Sequence, residues 1–106
     1  MFEGSYFIRM ANQCESWVAE DAMRVFGENY GYAQADSEEQ ATVIVTDSEA
    51  EATRALQGGK SVLFMPLSDD AQLPPAISSG FEGHVALVLG IRPTIADTYM
   101  AVSQLR

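Results

Sequence analysis

The stretch from Ala41 to Pro66 limits the fold more than any other part of the chain. It reads ATVIVTD, then SEAEATRALQGGK, then SVLFMP. The outer pieces are short apolar runs, the first rich in β-branched residues, and they are closed by Asp47 and Pro66. Loss of polar alternation is what a strand shows when both faces of its sheet are covered. The middle piece predicts a helix of about three turns. Ser48 is placed to cap it, with Glu51 three residues on to complete a capping box. Ala52, Ala55 and Leu56 give it a narrow apolar stripe, and Gly58 with Gly59 ends it, because glycine enters the left-handed conformation without a Cβ clash. Strand, helix, strand in this order is a βαβ unit, whose strands lie parallel with a right-handed crossover.

The rest of the chain repeats the alternation. Ser5 to Ala11 predicts a first strand, interrupted by Arg9 and so exposed on one face or at an edge. Asn12 and Glu15 then offer a capping box for a helix over Cys14–Phe26. Cys14, Val18, Ala22, Val25 and Phe26 fall on one side of it, broadened by Trp17, Ala19 and Met23. Glu20 and Arg24 sit four apart on the polar side, and Gly27 is the expected stop. Tyr32 to Ala35 offers a short second strand. Asp36 to Gln40 is too short for a crossover helix, which takes about a dozen residues, so that strand is antiparallel, very short or absent. Residues 67–83 read as a long loop with room for a helical turn. His84 to Leu89 is a further buried-type strand, ended by Gly90. Pro93 suits the first turn of a last helix, and Thr94 with Asp97 is an alternative cap. Its expected stripe is Ile95, Tyr99 and Val102, with Met100 and Leu105 beside it. The whole predicts one domain over residues 1–106: three-layer α/β/α, with a mostly parallel sheet of four or five strands, of flavodoxin-like type.

Such sheets carry their sites at the carboxyl ends of the strands. The segments there are Asn12–Glu15, Asp47–Glu49, Pro66–Asp70 and Gly90–Pro93. In VIVTD (Val43–Asp47), MPLS (Met65–Ser68) and GIRP (Gly90–Pro93) the chain resembles the receiver domains of two-component signalling. The resemblance implies that Asp47 stands at the phospho-acceptor position and Ser68 at the hydroxyl position after the fourth strand. Arg92 before Pro93 then stands where receivers carry a lysine. The acidic pair that holds magnesium in receivers is replaced by Met10, Ala11, Asn12 and Gln13, so the implied form is degenerate and poorly phosphorylated. One lone carboxylate is also a poor magnesium cage. Cys14 is placed loosely as the phosphocysteine of phosphotransferase-system IIB proteins, although Asn12, Gln13, Glu15 and Ser16 are a poor phosphate cradle.

The remaining chemistry is sparse. His84 is the only histidine, so neither a multi-histidine metal site nor a Ser-His-Asp set is expected. No dinucleotide or Walker loop is present, and no cofactor is expected. Fifteen acidic against six basic side chains give a formal charge of −9, which argues against direct nucleic-acid binding. Asp36, Glu38, Glu39, Asp47, Glu49 and Glu51 form the densest charge. They predict a solvated face, or a docking surface for a basic protein partner. A homo-oligomer is compatible with the composition, but no segment specifies its interface. A single cysteine, no leader-like N-terminus and no apolar run near the ~20 residues of a membrane span predict a cytoplasmic protein with no membrane partner. The leading expectation is a non-catalytic regulatory or protein-interaction module. The alternatives are a phospho-acceptor using Asp47 or Cys14, and an acidic inhibitor that mimics nucleic acid.

Overall fold

The computed structural model describes residues 4–105. Residues 1–3, part of the N-terminal stretch read above as lacking a leader, lie outside the described residues. Five strands, β1 (Ser5–Ile8), β2 (Ala33–Gln34), β3 (Val43–Thr46), β4 (Ser61–Phe64) and β5 (Val85–Leu87), form one sheet in the order β2-β1-β3-β4-β5. Every neighbouring pair is parallel. The helices are α1 (Ser16–Tyr30), α2 (Glu49–Gln57), α3 (Pro75–Ser78) and α4 (Ile95–Ser103). This is the doubly wound order of a flavodoxin-like fold, so the expected three-layer architecture holds.

The βαβ unit is its centre. β3 and β4 pair in parallel from Val43 opposite Ser61 to Thr46 opposite Phe64. Ile44 and Val45 point to opposite faces, and both are wholly buried. Ile44 joins Val62, Phe64 and the α2 stripe of Ala52, Ala55 and Leu56. Val45 joins Leu63, Met65 and the α1 side chains Met23 and Phe26. Each such aliphatic side chain contributes about 1.5–3 kcal/mol on burial, so both faces of the central strands hold the layers together. Helices α2 and α3 cover one face, and α1 and α4 the other.

Helix boundaries depart from the expectations where tertiary contacts decide them. Helix α1 runs through Gly27 and ends at Gly31, which takes the left-handed C-cap conformation with φ 85°. Gly27 is required for another reason: a Cβ there would lie 2.3 Å from the Tyr32 carbonyl oxygen, where the chain turns back under the helix. Asn12 caps only a 3-10 turn over Gln13–Glu15, through Cys14 N–H, and the expected Asn12–Glu15 box does not form. Arg24 pairs with Asp21 and Glu28 rather than with Glu20. Ser48 does cap α2 by accepting Glu51 N–H at 3.3 Å, while the Glu51 carboxylate turns to Arg54 instead of closing the box. Of the two terminal glycines, Gly59 is left-handed (φ 86°) and Gly58 is not (φ −82°). In α4 the Thr94–Asp97 capping box is complete. Its buried side is Thr98, Ala101 and Val102, whereas Tyr99 and Met100 are exposed. The 67–83 segment carries one helical turn, α3, whose Ile77 is fully buried.

The second strand is very short and parallel, one of the alternatives left open above. Residues 35–42 carry the chain from one side of β1 to the other without a helix. A crossover normally takes a dozen residues or more, but this one passes a single strand and is stapled along its length. Gln40 and Ala41 N–H bond back to Ser37 and Glu38 carbonyls at 3.2 Å. Lys60 Nζ donates to the carbonyls of Glu39 (3.2 Å) and Ala41 (2.8 Å). Ala35 and Ala41 pack into the core on the α2 side.

Candidate functional site

In a sheet of this order the chain leaves β1 and β3 toward opposite sides, so their carboxyl ends open a crevice. The crevice here is a groove of about 550 Å³, lined among others by Arg9, Met10, Ala11, Gln13, Ser48 and Glu51. One carboxylate ties the loop that borders it. Asp47 Oδ1 accepts Ala11 N–H at 2.6 Å and Oδ2 accepts Asn12 N–H at 3.1 Å. Bonds from amides to a carboxylate are among the stronger kind, and these fix the loop after β1 against the end of β3. The positions where the receiver resemblance places an acidic pair therefore present amides to Asp47 instead.

The other two residues of that resemblance lie in separate contacts. Ser68 Oγ donates to Asp70 Oδ1 at 2.7 Å, and its carbonyl accepts Gly90 N–H at 2.9 Å. The preceding Leu67 holds φ 59°, the one positive φ outside glycine among the described residues. For a side chain of this size that costs about 1–2 kcal/mol; burial of Leu67 in the α1–α4 core offsets it. Arg92 lies over Trp17, with its guanidinium carbon 4.8 Å from the ring centroid. Among the described residues, no hydrogen bond or ion pair joins Asp47, Ser68 and Arg92 to one another.

The acidic cluster divides. Glu38, in the helix-less crossover, and Glu51, on α2, converge on Arg54. The Glu38 oxygens accept its two terminal nitrogens at 2.5 and 2.9 Å, and Glu51 accepts at 2.6 Å. Arg9 Nε lies 3.6 Å from both carboxylates. The Arg54 hydrogen bonds, with Arg54 and Arg9 charge behind them, hold both carboxyl groups below their ordinary value of 4.5. The same bonds raise the Arg54 guanidinium further. Asp36, Glu39 and Glu49 stand outside this network and are exposed. Among the described residues, no group of three or more His, Cys, Asp or Glu side chains is arranged to hold a metal ion. No described helix is long and apolar enough to cross a membrane.

Cys14 is exposed within the 3-10 turn and does not continue the apolar side of α1 as expected. His84 is exposed, and its carbonyl accepts Val62 N–H just before β5. Trp17, too, departs from the expected apolar side of α1. It is 52% exposed and borders two hollows beside the crevice. The signal was available, because Glu20 and Asp21 lie three and four residues after it, on its own side of the helix. Comparison with protein-family models, curated proteins and solved structures gives no match to this chain.

Proposed function

We propose that this chain is a non-catalytic regulatory or protein-interaction module, a degenerate receiver-like domain whose contact surface is the carboxyl end of its sheet. The observation that carries this reading is the engagement of Asp47. Both of its oxygens accept backbone amides, so conversion to an acyl phosphate would break at least one of those bonds and release the loop after β1. The carboxylates of Glu51, which lines the crevice, and of Glu38 are held by Arg54 and Arg9, which leaves them poor ligands for the magnesium that phosphoryl transfer requires.

Incubating the protein with acetyl phosphate and magnesium, followed by intact-mass and peptide mass spectrometry, tests the reading. The expected result is an unmodified chain. Covalent phosphate on Asp47 would overturn it in favour of a phospho-acceptor. Affinity capture at low and high salt supplies the positive arm: a partner retained at low salt and released at high salt fits an acidic contact surface.

A further inference from the structure

The crevice continues sideways into a second hollow of about 360 Å³, and Ile8 and Glu20 line both. Trp17, Asp21, Arg24 and Gln34 complete this hollow. Trp17 also borders a smaller hollow that contains Arg92 and Pro93. Arg92 lines that one and not the larger. The indole therefore already carries one guanidinium, from within the chain, and keeps exposed surface toward the larger hollow. A cation over an indole gains about 0.5–1 kcal/mol at an exposed site, and a planar guanidinium adds stacking. The charge around the hollow has the matching sign. Arg24 serves Asp21 and Glu28 at once, and Glu20 has no side-chain partner among the described residues.

We infer that this hollow receives an arginine side chain from an extended basic segment of a protein partner, with the guanidinium stacked on Trp17 and paired to Glu20. The inference rests on the interaction-module reading and names the partner's chemistry. Arginine is favoured over lysine because Trp17 and Glu20 together ask for a flat cation that offers one face to the ring and its edge to a carboxylate.

Trp17 is the only tryptophan in the chain, so its fluorescence reports on the hollow directly. The full chain is titrated with a short synthetic Leu-Arg-Gly-Arg-Leu peptide and with its lysine counterpart. The expected result is a saturable change in emission, several-fold tighter for the arginine peptide. Glu20→Gln should weaken it by about tenfold, which corresponds to about 1.4 kcal/mol. Glu49→Gln, which removes a charge outside the hollow, should leave it within twofold. Equal affinity for both peptides, equal loss in the two variants, or no saturable change would each overturn the inference. The acetyl phosphate experiment is indifferent to Glu20, so failure of this assignment is distinguishable from failure of the module reading.

Discussion

Asp47 shows how a residue's type leaves its role open until its neighbours are in place. At the end of a central strand a carboxylate is equally suited to accept phosphate, to bind a cation or to cap backbone. In this fold both of its oxygens accept backbone amides, those of Ala11 and Asn12. Asp47→Asn keeps the shape but turns one acceptor into an amino group that faces an N–H. A loss of about 1–3 kcal/mol in urea unfolding is expected, together with faster amide exchange at Ala11 and Asn12. Unchanged stability and exchange would mean that the loop is held by other contacts. Trp17 and Thr98 make the same point from the other side. Trp17 precedes Phe26 by nine residues, about two and a half turns, so the two point in opposite directions, and Phe26 is the one that is wholly buried. Thr98 replaces Tyr99 on the buried side of α4 because its hydroxyl donates to the Thr94 carbonyl at 3.0 Å and leaves no polar group unmet.

Among the elements, the helix-less crossover at residues 35–42 depends on charges supplied by its neighbours. Glu38 and Glu51 have folded-state values below 4.5, owing first to hydrogen bonds from Arg54. A lowered carboxylate contributes stability that is complete above its unfolded value and is lost as pH falls through the folded one. The bridge should therefore support the crossover at neutral pH and release it progressively below pH 4.5. The check compares the native chain with Arg54→Gln by urea unfolding from pH 7 to pH 3. The difference should be largest at neutral pH, shrink below 4.5, and be smaller in high salt because the groups are partly exposed. A difference independent of pH would assign the role of Arg54 to packing. Lys60 is a second tie, made to backbone carbonyls rather than to a carboxylate, so the crossover should loosen at low pH without detaching.

At the scale of the molecule, burial is steepest at the centre of the sheet. All four residues of β3 are buried, whereas both residues of β2 are exposed at the edge. Opening free energies should follow that gradient. Hydrogen exchange is expected to be slowest in β3 and β4, faster in β5, and fastest in β2 with residues 35–42. Protection of β2 equal to that of β3 would show that the edge strand opens only with global unfolding. The crevice, Trp17 and the two carboxylates of the ion-pair network lie on loops and helix ends around that buried centre.

The sequence by itself determined the βαβ unit, the parallel sheet between helical layers, the cap at Ser48, and the lack of a helix between β2 and β3, and it left the start of α4 open between Pro93 and Thr94. These follow from local pattern, because capping, periodicity and the length of a connection act over a few residues. Only the tertiary structure decided that α1 passes Gly27, since the reason for that glycine is the carbonyl of Tyr32 beneath it. It also decided that Glu38 and Glu51 meet at Arg54, and that Asp47, Ser68 and Arg92 turn to three different neighbours. Side chains distant in sequence have no local signal for one another. Their partners are chosen when the sheet order brings loops together, and a chemistry that needs several groups at once is settled only then.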